Sequence, residues 1–180
     1  MWTILMGYTL LFTVAHTKFV MEFNKLFKPC PRSSSSKPFP IDTSKMEIFL
    51  SEDDELTLNG ELVFVSDLVS PVGFSFYTQK LEHGEWVPRP YSKRVLDMCS
   101  VVTSPMEIWY SITRHMNRTR CPFPKGHVER FDMVSLGTFG LDEFMEQMVG
   151  EWKIFAEMTL PSPLFMEVSC TMCQVSVVEH

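Results

Sequence analysis

From Met46 onward, apolar side chains fall on every second residue. That spacing constrains the chain more than any other feature, because it is the period of an extended strand with one face buried and the other wet. Met46, Ile48 and Leu50 alternate with Glu47 and Ser51. Leu56-Thr57-Leu58 and Glu61-Leu62-Val63-Phe64-Val65 flank Asn59-Gly60, a pair that suits the positive φ angles of a two-residue hairpin loop, so the sequence predicts a hairpin turning at 59–60. Phe74-Ser75-Phe76 and Gly84-Glu85-Trp86-Val87 continue the pattern. Further on, Trp152, Ile154, Ala156 and Met158 alternate with Glu151, Lys153, Glu157 and Thr159, interrupted only by Phe155. Pro161-Ser162-Pro163 ends that strand, and residues 168–178 read as the last one.

Helical spacing interrupts the strands between them. Val95, Leu96, Cys99 and Val102 predict a short helix over residues 92–102 with Cys99 on its buried face. Ser104-Pro105-Met106-Glu107 offers an N-cap, a first-turn proline and a glutamate three residues after the cap. A second helix is therefore predicted over residues 105–116, presenting Ile108, Ile112 and either Trp109 or Tyr110. Leu141, Phe144, Met145 and Met148 stand at i, i+3, i+4 and i+7 before Gly150; they read either as a short amphipathic lid or as an irregular loop tucked onto the core. The run CPRSSSSKPFP, residues 30–40, is a loop. Short strands, turn signals and one helical excursion predict an all-β fold: an antiparallel, immunoglobulin-like β-sandwich stapled by disulfides.

The 180 residues suit one such domain, and 45% hydrophobic residues exclude a disordered chain. A net charge of −6 argues against a nucleic-acid binder. Thirteen Met are flexible thioethers that either line an adaptable cavity or simply fill the core. Trp2, Ile4, Leu5, Met6, Leu10, Leu11, Phe12 and Val14 precede the first charge at Lys18, a stretch too short to span a bilayer. Residues 1–17 read as a signal peptide cut after Ala15 or Thr17, with a retained interfacial anchor as the alternative. Residues 18–180 would then be a secreted, extracellular domain with no stable membrane insertion. Five cysteines in an oxidising compartment favour disulfides with one thiol left over, and Asn117-Arg118-Thr119 is a glycosylation sequon at Asn117.

Several short motifs add to this. Cys30 precedes the first of these strands, and Gly84-Glu85-Trp86-Val87-Pro88 is followed by Leu96-Asp97-Met98-Cys99 and Trp109-Tyr110. Then come Cys121-Pro122-Phe123-Pro124-Lys125-Gly126, Gly150-Glu151-Trp152-Lys153 and Val168-Ser169-Cys170. In order and spacing, over roughly residues 30–178, these resemble the ganglioside-activator branch of the ML lipid-recognition superfamily, and within it the insect CheA/CheB chemosensory secreted proteins. The resemblance implies disulfides Cys30–Cys170 and Cys99–Cys121. It offers no counterpart for Cys173, which leaves open whether Cys170 or Cys173 bonds Cys30. It further implies two sheets splayed around an apolar cup that holds acyl chains, and a role in pheromone perception.

Trp86, Trp109, Tyr110, Phe131, Phe139, Phe144, Trp152 and Phe155, with Leu141, Met145 and Met148, are the expected ligand-binding residues, and residues 136–149 the expected portal. Arg114, Arg118, Arg120, Lys125 and Arg130, opposed locally by Glu129, form either a seat for an anionic headgroup or an ordinary solvated face. Cys170-Thr171-Met172-Cys173 is a CxxC, but residues three apart in a strand face opposite sides, so neither redox nor metal chemistry is expected of it. His115, Cys121 and His127 could hold a metal only if Cys121 were a free thiolate. The chain has no G-x-S-x-G elbow, no H-E-x-x-H and no phosphate loop, so neither catalysis nor a cofactor is expected. The function this predicts is a secreted, non-enzymatic holder of a lipid or other hydrophobic small molecule. The alternative is a module that contacts a cell-surface receptor or channel and has no open cavity.

Overall fold

The computed structural model describes residues 18–31, 37–162 and 166–180; the predicted signal peptide, part of the serine-rich loop and Pro163 lie outside the described residues. Among the described residues the strands are β1 (Phe19–Pro29), β2 (Ile41–Leu50), β3 (Leu56–Phe64), β4 (Gly73–Glu82), β5 (Glu85–Val95), β6 (Val128–Ser135), β7 (Gly150–Pro161) and β8 (Met166–Glu179). One short helix, α1 (Tyr110–Thr113), lies between β5 and β6. The strands form two antiparallel sheets, one of order β1-β8-β7-β4-β5 and one of order β2-β3-β6. Packed together, they make an all-β sandwich. No helix among the described residues is long and apolar enough to cross a membrane.

The alternation along β7 fixes the two faces of the larger sheet. Trp152, Ile154, Ala156 and Met158 point into the sandwich and pair with Val175, Cys173, Thr171 and Ser169 of β8. Phe155 points outward and pairs with Met172; beside them the Cys30–Cys170 disulfide ties β1 to β8 on the outer face. The Cys99–Cys121 disulfide anchors the excursion between β5 and β6. These are the two pairings the resemblance implies, and Cys173 remains a buried free thiol.

The structure corrects the sequence reading at three places. Residues 56–64 are one uninterrupted strand, and the chain reverses instead at 51–55, where Ser51 N donates to Glu55 O at 2.9 Å. Gly60 takes φ +107° at a register shift against β6, and a Cβ there would lie 2.0 Å from Lys45 O. Asn-Gly thus supplies a bulge and a close approach of β2 to β3 rather than a turn. The helix expected over 92–102 is β5 up to Val95, which pairs with Phe74, followed by a single 3-10 turn at Met98–Ser100. Here long-range pairing outweighs local spacing, and Asp97 holds the turn by accepting from Val72 N at 3.0 Å, Cys99 N at 3.1 Å and Ser70 Oγ. The helix expected over 105–116 is reduced to α1, because the Glu107 carboxylate goes to Lys93 Nζ at 2.5 Å and not back to residue 104 as a capping box requires. Residues 141–148 form two 3-10 turns, Asp142–Phe144 and Glu146–Met148.

Candidate functional site

Between the sheets lies a hollow of about 190 Å³ whose exposed wall is wholly apolar. The larger sheet contributes Phe74, Ala156 and Met158, and the smaller contributes Ile41, Met46, Leu62 and Phe64. The third wall is the excursion, with Met98, Val102, Trp109, Ile112 and Met116, and Phe123 of the Cys-Pro-Phe turn completes it. Aromatic contacts fix these walls: Phe64 stacks on Phe123 at 4.7 Å, and Trp109 meets Phe74 edge-on at 5.3 Å.

Three polar groups on this wall are turned to backbone carbonyls. Trp109 Nε1 donates to Val101 O at 3.2 Å, Thr113 Oγ1 to Val102 O at 2.6 Å and Thr171 Oγ1 to Lys28 O at 3.1 Å. A cavity of about 150 Å³ lined by apolar side chains stays dry and takes up an apolar guest, so a hollow of this size and lining favours hydrocarbon over water.

Beside it, at the gap between β1 and β2, is a second, more polar hollow of about 590 Å³. Phe27, Phe39, Ile41, Thr43 and Thr171 are walls of both hollows. Lys37, Asp42 and Ser44 border only the outer one.

Of the eleven residues expected to bind ligand, Trp109 alone borders the apolar hollow. Trp86 and Phe155 are on the outer face of the larger sheet: Phe155 stacks on Tyr77 at 4.8 Å, and Lys153 Nζ sits 3.9 Å from the centre of the Trp86 ring. The even-odd parity of β4, β5 and β7 puts them there. Trp152 does face inward, but it packs with Met21, Met145, Met148, Val175 and Val177 and donates Nε1 to Met148 O at 2.6 Å. Side chains fill the space around Trp152, while Met21 and Met145 also border a separate, partly polar hollow of about 220 Å³ with Leu50, Leu56, Gly137 and Thr138. Leu141 packs against the same cluster, and Phe139 bridges it to the main core and lies 6.4 Å from Phe23. Phe131 is core, Tyr110 is half-buried on α1, and Phe144 is 45% exposed. Residues 136–149 do not border the apolar hollow, so the expected portal is not beside it. The residues that sequence reasoning missed on the strands, Phe64, Phe74 and Met158 among them, carried a usable signal: each inward strand position shares parity with its neighbours across the sheet.

The basic residues do not gather into one seat. Arg130 pairs with Glu61 at 3.0 Å, Arg114 donates to Ser135 O and to His115, and Arg118 donates to Arg120 O. Their local acid, Glu129, is fully buried and spent elsewhere. It accepts from Asn117 N at 2.7 Å, Arg118 N at 2.8 Å and His127 Nε2 at 2.7 Å. Burial alone would raise its pKa, but the bonds from His127 and the two backbone amides outweigh it and hold the carboxyl below its ordinary value. Asn117 itself is exposed, with Nδ2 at 3.4 Å from Glu129.

Metal and thiol chemistry find no foothold at the positions considered. Cys121 is bonded to Cys99, so its sulfur is not available as a thiolate ligand between His115 and His127. Cys173 lies across the sheet from Cys170, is 5% exposed, and has its thiol pKa pushed up to about 12 by burial. No family model matches the chain, and neither does any curated protein.

Proposed function

We propose that this is a secreted, non-enzymatic binding protein that holds a lipid or other long apolar molecule between its sheets, in the manner of the ML lipid-recognition proteins, and serves chemosensory, pheromone-type perception. The observation that carries the reading is a hollow that exposes only apolar surface, with the donors of Trp109, Thr113 and Thr171 bonded to backbone carbonyls. Binding there needs no reactive group, since each methylene taken from water contributes about 0.8 kcal/mol. Two disulfides are compatible with an extracellular protein. Organic extraction of the secreted protein followed by mass spectrometry should recover a long-chain molecule, and a fluorescent fatty probe should bind and be displaced by it. Ala156→Leu, which pushes a larger side chain into the hollow, should weaken probe binding at least tenfold. Phe155→Leu, on the outer face, should leave it unchanged. Repeatedly empty protein that takes up no probe overturns the reading.

A receptor- or channel-contacting module is the second reading. It is favoured by the exposed Leu96 and Met106 of the excursion, 82% and 85% accessible. Under that reading Ala156→Leu fills a void and leaves activity intact.

A further inference from the structure

The two hollows differ in chemistry, and the difference selects a class of guest. The inner one exposes only apolar surface, and the donors of Trp109, Thr113 and Thr171 on its wall are occupied by backbone carbonyls. The outer one is partly polar, but its charges are committed. Lys37 Nζ pairs with Glu167 at 2.5 Å, and Asp42 accepts from Ser44 N at 2.9 Å. The Ser44 bonds are the main cause that lowers the Asp42 pKa, so this carboxylate stays ionised and repels an anionic head, while a cationic head meets the Lys37 ammonium on the same border. Thr43 stands on the wall common to both, and its hydroxyl makes no hydrogen bond among the described residues.

We infer that the guest is a single-chain amphiphile with an uncharged, oxygen-bearing head, its chain in the apolar hollow and its head at the Thr43 hydroxyl, facing the outer hollow. This rests on the carrier reading and narrows it. Scaled from a cavity of ~150 Å³ that holds benzene, 190 Å³ accommodates about eight carbon atoms, enough for one short chain and too little for a two-chain lipid. A longer chain keeps its surplus methylenes against Phe27 and Phe39, apolar walls that the two hollows share. Thr43 then completes the head's hydrogen bonding, which a hydrocarbon guest leaves unused.

The test is displacement of N-phenyl-1-naphthylamine from the intact secreted protein by 1-octanol, octane, octanoate, octyltrimethylammonium and dimyristoyl phosphatidylcholine. Octanol should compete about fivefold or more better than octane, as one added hydrogen bond implies. It should also outcompete both ions, and the phospholipid should not compete. Thr43→Val should bring octanol to within about twofold of octane while octane is unchanged, and Thr43→Ser should keep the preference, which separates loss of the hydroxyl from misfolding. Equal competition by octane and octanol, a preference that survives Thr43→Val, or tight binding of either ion or of the phospholipid overturns the inference and leaves the carrier reading standing. A dye that never binds, or that no competitor displaces, overturns both.

Discussion

Replacing Glu129 by Gln keeps the shape of the side chain and removes its charge, and the geometry sets the cost. One carboxylate oxygen accepts from Arg118 N and His127 Nε2, the other from Asn117 N, so an amide nitrogen in either place points a donor at a backbone donor. Leaving one such group unpaired in the interior costs about 1–3 kcal/mol, and bonds to a charged acceptor lie at the upper end. Asn117 Nδ2, at 3.4 Å on an exposed residue, can turn to water and adds little. The expected loss is about 2–3 kcal/mol, or a fall in Tm of about 4–12 °C for a domain of this size.

Thermal unfolding followed by circular dichroism at several pH values tests both the size and the sign. The folded pKa of Glu129 lies below the ordinary 4.5, so its stabilisation is complete above that value and drains away as pH falls toward the folded pKa. The gap between wild type and Glu129→Gln should be full at neutral pH and narrow only under acid. A variant within about 2 °C of wild type at neutral pH, or a gap that ignores acid, refutes the argument that this carboxylate pins residues 117–118, and with them the Met116 end of the cavity wall, to β6.

Three further outcomes follow from the fold. Removing the Cys30–Cys170 bridge, whose cysteines are 140 residues apart, should cost about 5 kcal/mol in the chain-entropy treatment, against about 3 for the 22-residue separation of Cys99 and Cys121; denaturant titration of the paired Ser variants should preserve that order. Cys173, with its thiol pushed up to about 12, should resist iodoacetamide at pH 8 in the folded protein and react at once in guanidinium, as peptide mapping will show. Gly60→Ala should destabilise by more than about 3 kcal/mol or prevent folding, as denaturant titration will show, because both the positive φ and the 2.0 Å approach to Lys45 O exclude a side chain.

The larger sheet was readable where local pattern and tertiary need agree. β7 alternates cleanly because each of its faces has a fixed environment, and the opposite facing of Cys170 and Cys173 follows from strand geometry alone. The failures share a cause. Asn59-Gly60 satisfies a hairpin locally, but the bulge is required by its neighbours in β2 and β6, which are distant in sequence. Val95 and Cys99 have helical spacing, yet β4 claims the first and Asp97 turns the chain before the second. β1 was not anticipated at all, since in the sequence it follows directly on the apolar stretch of residues 2–14 and only its pairing with β8 distinguishes it. Of the aromatic residues picked out, Trp109 borders the apolar hollow while Trp86 and Phe155 lie on the outer face, because hydrophobicity does not reveal which face of a sheet is closed. Glu129 looked like one surface acid among arginines; that it is buried follows from the main-chain amides it meets, which no side-chain pattern records.

The placement of sulfur on β8 also bears on how the chain matures. For Cys30 to capture Cys173 in error, the terminal strand would have to roll over about its own axis, turning Val175 and Val177 out to water and Gln174 inward. Such a misjoined species forfeits the greasy contacts that hold the strand in place, so oxidation is proofread by pleating, and an odd thiol can be kept without scrambling the staple beside it.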